Sequence, residues 1–215
     1  MAITFPRPIV NNARMSECWF DLIDNVAFSP SHNGNLLNLS QIADPQWSGT
    51  FVTPILDRTE EPIWSAWRKS LRGGLKTFTA YDVRRAAPRA YPSAKLSTDI
   101  APDWDGLASV TSVGEAGALM LSDLPANYQF KIGDRVGLEQ GGHFGYYEVL
   151  EDVTASGLGG AAITVAPFLH TTLFDDSAVC RVFRPLCQFM IDQSSWSAQG
   201  TVEDTPISFM GVQRL

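Results

Sequence analysis

The residues of this chain whose types could do chemistry are few. They are His32, His143 and His170, Cys18, Cys180 and Cys187, the acid pairs Glu151-Asp152 and Asp175-Asp176, the glycine cluster at 157–160 and the arginines Arg84, Arg85 and Arg89. A helical zinc site needs two ligands at i and i+4, and no pair of the histidines has that spacing. The cysteines show no CxxC pattern, so they read as small buried hydrophobes in a reducing compartment rather than as a disulfide framework. No GxSxG motif marks a serine nucleophile. The acid pairs fall short of a calcium loop, which needs several oxygen ligands within 12 residues. The glycine cluster lacks the lysine that closes a phosphate loop, and it precedes a strand where such a loop opens a helix. No catalytic, cofactor or metal site is expected. The arginines sit in an irregular, proline-containing segment, 82–104, longer than compact folds usually tolerate without a functional or assembly reason. Arginine is favoured at interface centres for its planar fork, so Arg84, Arg85 and Arg89 are candidates for subunit contacts.

The elements that would hold these residues are mostly strands. Segments 18–28, 47–56 and 76–81 alternate apolar and polar residues, with turn chemistry at 30–34 and Pro54 demoting the far end of the second to an edge. One helix is expected over about 60–72. Asp57 or Thr59 can cap it, Glu60 and Glu61 complement its dipole, and Pro62 fits its first turn. Ile63, Trp64, Trp67 and Leu71 form its apolar stripe, and Gly73 and Gly74 stop it. From residue 107 six short apolar runs, at 108–113, 118–121, 135–139, 146–150, 162–165 and 179–183, alternate with glycine-rich turns, the pattern of a small β-barrel or sandwich. Two further runs, 188–192 and 206–212, are expected to return to the first sheet, whose edges would otherwise be open. The fold class that follows is mainly β: a split-barrel-like domain with one helix, formed by residues 1–106 and 185–215, carrying an inserted small all-β barrel at 107–184.

Composition bounds the function. With 45% apolar residues and a formal charge of -7, the chain has the make-up of a folded protein and lacks the basic excess that phosphate neutralisation of nucleic acid requires. No apolar run is long enough to span a membrane, and the N-terminus has no signal-peptide pattern, so the chain is expected to fold in the cytoplasm.

The order of motifs is similar to one family. WSGTF at 47–51, the WSAW of the helix at 64–67, LRGG at 71–74 and the arginine loop, followed by FKIGD at 130–134, YEVLED at 147–152, ITVAP at 163–167, Arg184-Pro185 and PISF at 206–209, resemble the distal tail and minor tail-tip proteins of long-tailed bacteriophages and prophages. The resemblance covers roughly residues 17–212. It implies a virion structural protein without catalytic residues, assembled in the host cytoplasm into a homo-oligomeric ring, with a hexamer as the expected copy number. Its implied partners are the tail tube protein, the hub or tip protein and the tape measure protein. Six Trp and 12 Phe supply aromatic anchors for such contacts, and a net acidic wall would repel passing DNA. Two alternatives come from other classes. A host-surface carbohydrate-binding module could use Phe144, Tyr146 and Tyr147 to stack on sugars, although two successive residues of a strand face opposite sides. A glycoside hydrolase would need two carboxylates facing each other across a cleft.

Overall fold

Strand alternation gives this chain two β modules, and the computed structural model describes them over residues 3–30, 37–114, 117–200 and 205–215. The first half runs β1 (Arg7–Pro8), β2 (Glu17–Ile23), β3 (Val26–Pro30), β4 (Leu37–Gln41), β5 (Gln46–Val52), α1 (Glu61–Ser70) and β6 (Thr77–Ala80). The middle contributes β7 (Leu107–Val113), β8 (Ala118–Ser122), β9 (Gln129–Phe130), β10 (Arg135–Gln140), β11 (His143–Val149), β12 (Val153–Thr154), β13 (Ala161–Ala166) and β14 (Val179–Arg181). The chain ends with β15 (Cys187–Ala198) and β16 (Ile207–Gln213).

A six-stranded sheet ordered β1-β6-β15-β16-β5-β2 forms the first module. Its two C-terminal strands lie at the centre, so residues from opposite ends of the sequence share one core. Cys187 at the start of β15 pairs directly with Ala80 at the end of β6, which places the departure and return of the intervening chain on the same rung. Phe20, Phe51, Phe78, Phe189 and Phe209 project from one face, and α1 lays Trp64 and Trp67 over it, the Trp67 ring 5.2 Å from Phe78. Gly49 and Gly211 face each other across β5 and β16, and their missing side chains make room for the rings. A Cβ on Gly49 would stand 2.8 Å from the Phe51 ring.

The second module is a closed antiparallel barrel of six strands, β10-β11-β13-β8-β7-β14. These correspond to the six apolar runs, each shifted by at most three residues at either end. Glycine is required at the β10–β11 turn. Gln140 pairs with His143, leaving the two residues Gly141 and Gly142 at φ 58° and 87°, the left-handed pair that matches the twist of a hairpin.

Several local expectations need correction. The run at 18–28 is two strands in different sheets, broken at Asp24-Asn25, where Asn25 donates its side-chain amide across to Asp44 O at 2.6 Å. Residues 31–36, which hold most of the expected turn and His32, lie outside the described residues. The helix ends at Ser70 and continues as a separate short 3-10 turn, Arg72–Gly74. Ile63 is 55% exposed, so the buried stripe is Trp64, Trp67 and Leu71 alone. Asp57 supplies the N-terminal bonds, accepting from the N–H groups of Thr59 and Glu60. Strand β15 runs past Asp192, through an irregularity between Asp192 and Ser197.

Segment 82–104 is not structureless. It forms two 3-10 turns, Val83–Arg85 and Ser97–Asp99, and packs Tyr91 and Trp104 against Tyr128 of the barrel core, with ring centroids 5.3 and 5.4 Å away. The residues between the sheet and β7 therefore form a wall on the barrel.

Candidate functional site

The two modules meet along the outer face of β10 and β11. Val136, Leu138, Tyr147 and Val149 point into the barrel, so period-two alternation turns Arg135, Gly137, Tyr146 and Glu148 outward. The Tyr146 ring enters the aromatic core of the sheet, 5.3 Å from both Phe20 and Trp47, and is fully buried. Arg135 stacks its guanidinium 4.4 Å from the Trp47 ring and pairs with Glu148, its direct neighbour across the β10–β11 ladder.

Beside this seam lies a cleft of about 580 Å³, lined by Arg84, Arg85, Arg89, Ile132, Asp134, Arg135 and Glu148, among others. The three arginines named as candidates for subunit contacts all line this cleft. The 3-10 turn that carries two of them is fixed by Asp82, whose buried carboxylate accepts the N–H of Arg84 at 2.9 Å and the N–H of Phe20 in β2 at 3.4 Å. Arg85 donates to Gly133 O at 2.9 Å and to Glu148 at 3.4 Å. Arg89 donates a side-chain bond to Ile132 O, and its backbone N–H goes to Asp134 at 2.8 Å. Arg84 reaches toward solvent, 63% exposed, over the Trp19 ring. Arg85 and Arg89 therefore have intramolecular partners on the barrel in addition to whatever they meet outside the chain.

The electrostatics follow from burial. Desolvation pulls the Arg135 guanidinium below its ordinary value, opposed by Tyr146 and Glu148. Burial also raises the Asp134 carboxyl, against the backbone N–H groups of Arg89 and Lys131 that favour its charged form. Such a lining can hold an anion or staple two modules together.

Sequence reasoning missed Arg135, Glu148 and Tyr146 as parts of this site. A signal was present: Tyr146 and Tyr147 are consecutive bulky residues in an alternating strand, which is the mark of a strand buried on both faces. The structure corrects the sugar-stacking reading on this point. Tyr146 is in the sheet core and Tyr147 in the barrel core, so neither offers a ring to a ligand. Trp64 and Trp67 are likewise buried. Among the described residues, no three His, Cys, Asp or Glu side chains converge as metal ligands, and no helix is long and apolar enough to cross a membrane. All three cysteines are free and buried. No protein-family model matches the chain, and no curated protein sequence matches it.

Proposed function

We propose that this chain is a structural protein of a long-tailed phage tail, whose copies close into a ring at the distal end and join the tail tube to the hub or tip. The observation that carries the reading is the β3–β4 hairpin. It forms a two-stranded sheet of its own, with Phe28 directly opposite Leu39 in the ladder, and these side chains are 61% and 64% exposed. Val26, two residues from Phe28, extends the same face, and Ile42 follows just beyond the strand. A projecting apolar face of this kind is expensive in a monomer and is covered when a neighbouring copy packs on it.

The nearby sheet edge supports the hairpin as the contact. On β2 the N–H of Phe20 is taken by Asp82 and that of Leu22 by Asp21, which discourages strand-to-strand addition there. Head-to-tail contacts between copies close when the rotation permits, and six copies is the expected number. In this reading the ring belongs to the virion, is assembled in the host cytoplasm, and meets the tube, hub and tape measure proteins.

Multi-angle light scattering of the purified chain and mass spectrometry of purified particles test the proposal. A closed oligomer that Phe28→Asp with Leu39→Asp converts to a monomer of unchanged thermal stability supports it. A chain that stays monomeric at high concentration and is absent from particles overturns it.

A further inference from the structure

The cleft at the module seam holds more positive charge than its own structure uses. Four guanidinium groups line it, from Arg84, Arg85, Arg89 and Arg135, against the two carboxylates of Asp134 and Glu148. Both carboxylates are fully engaged. Asp134 accepts from the N–H groups of Arg89 and Lys131, each at 2.8 Å, and Glu148 has one oxygen on Arg85 and the other on Arg135. Asp82, behind the lining, pairs with Arg84 at 3.9 Å, so four guanidinium groups face three carboxylates and one positive charge remains in excess, in a chain whose formal charge is -7. The Arg135 side chain is only 4% exposed, and its Nε has no hydrogen-bond partner among the described residues. A buried charged donor left unpaired is costly, and a ligand that accepts from it recovers that cost.

We propose that this cleft is a receptor site for an oxyanion, a carboxylate or a phosphate group. The geometry favours such a ligand over a neutral one, because guanidinium forks match the two oxygens of an oxyanion. The site is also held in shape from both sides: Arg85 and Arg89 are anchored to the barrel, and Arg84 is steadied by Asp82 at 3.9 Å and by the Trp19 ring at 5.4 Å. The oxyanion has two sources, a free inorganic anion or a surface carboxylate of a second copy, since the chain is acidic overall. The site itself rests on the cleft alone and does not require the ring.

The test is a titration of the full chain with inorganic phosphate at low ionic strength, following the arginine Nε–H resonances and the thermal midpoint, with chloride at matched ionic strength as control. Saturable shifts that include Arg135, weakened about tenfold or more by Arg84→Ala and by Arg135→Lys but not by the remote Arg68→Ala, are expected from the loss of a charged hydrogen bond. Arg84 is exposed, so its variant decides the matter even if Arg135→Lys unfolds. Sedimentation of the same proteins separates the sources. Phosphate that competes with self-association identifies the second copy's carboxylate, and phosphate that binds without affecting association identifies a free anion. A linear response equal to that of chloride, with Arg84→Ala changing neither binding nor association, overturns the site; a ring that still forms in that case leaves the tail reading standing.

Discussion

Trp47 in β5 donates its indole N–H to the carbonyl oxygen of Tyr146 in β11 at 2.7 Å, across a sequence separation of 99 residues. The same two residues touch edge to face, with ring centroids 5.3 Å apart, and the Arg135 guanidinium lies 4.4 Å over the Trp47 ring. One hydrogen bond, one aromatic contact and one cation–π contact thus converge on a single junction between sheet and barrel. The two modules share a core here, since Tyr146 belongs to the barrel by chain position and to the sheet by packing.

Removing the shared ring should destabilise both modules together. Tyr146→Ala is expected to cost about 3–5 kcal/mol, the range for deleting a buried aromatic side chain, and Trp47→Phe about 1–2 kcal/mol for the lost hydrogen bond and smaller ring. Urea unfolding followed separately by near-UV and far-UV signals checks this. Two transitions, with only one shifted in Tyr146→Ala, would show that the modules are energetically independent.

The glycines beneath the aromatic cluster should resist substitution. A Cβ on Gly211 would stand 3.0 Å from Phe189 Cβ and 3.1 Å from Phe78 Cζ, so even alanine forces the rings to move. Gly211→Val is expected to cost about 1–3 kcal/mol or more from overpacking, and the exposed neighbour Met210→Val less than about 0.5 kcal/mol. Thermal denaturation of the two variants side by side distinguishes a crowding effect from a general intolerance of the strand.

The thiols should be silent in the folded chain. Burial pushes Cys18 and Cys180 up to about 12 and raises Cys187 as well, and only the thiolate is reactive. A disulfide-exchange reagent at about pH 8 should label none of the cysteines within the dead time and all three after unfolding in urea. Rapid labelling of the native protein would mean that one of these sites opens locally.

Acid should weaken the fold through exposed turn carboxylates. The hydroxyls of Thr59, Ser177 and Ser194 lower Asp57, Asp175 and Asp192, and the backbone N–H groups of Leu96 and Ile132 lower Asp99 and Asp152, all from an ordinary value of 3.8. A group whose folded value is depressed contributes stability above its unfolded value and loses it as pH falls through the folded one. Stability should therefore decline below about pH 4, and Asp175→Asn should flatten that decline. Asp134, raised by burial, runs the other way: its contribution is present at acid pH and is lost as pH rises through its folded value. Urea midpoints measured from about pH 5 downward give the slope directly.

Much of the architecture was legible because alternation with period two survives wherever one strand face is buried. Five of the six barrel strands announce themselves by an apolar run beside a glycine; the sixth, β14, has no glycine near it and shows only the apolar run. The strands β15 and β16 do join the first sheet, but they fill its centre between β6 and β5 and leave β1 and β2 as the edges they were expected to cover. What escaped was everything that depends on a second buried face. Arg135 reads as an ordinary solvent-side residue of an alternating strand, and nothing local shows that Trp47 waits on that side. Ile63 failed in the opposite sense, being apolar and on the helix yet outside the arc that α1 presses onto the sheet. The arginine loop was legible as a unit, but two of its partners on the barrel, Gly133 and Ile132, are backbone carbonyls that carry no sequence signature.

Because Ala80 and Cys187 are paired neighbours, the host sheet experiences everything between them as the tip of a single hairpin. Excising the barrel and bridging the gap with a tight turn would therefore spare every rung of the ladder while leaving a ring-shaped hole where Tyr146 sits. A replacement cargo grafted at that point must bring its own aromatic plug, and the size of the plug sets which cargoes the port accepts.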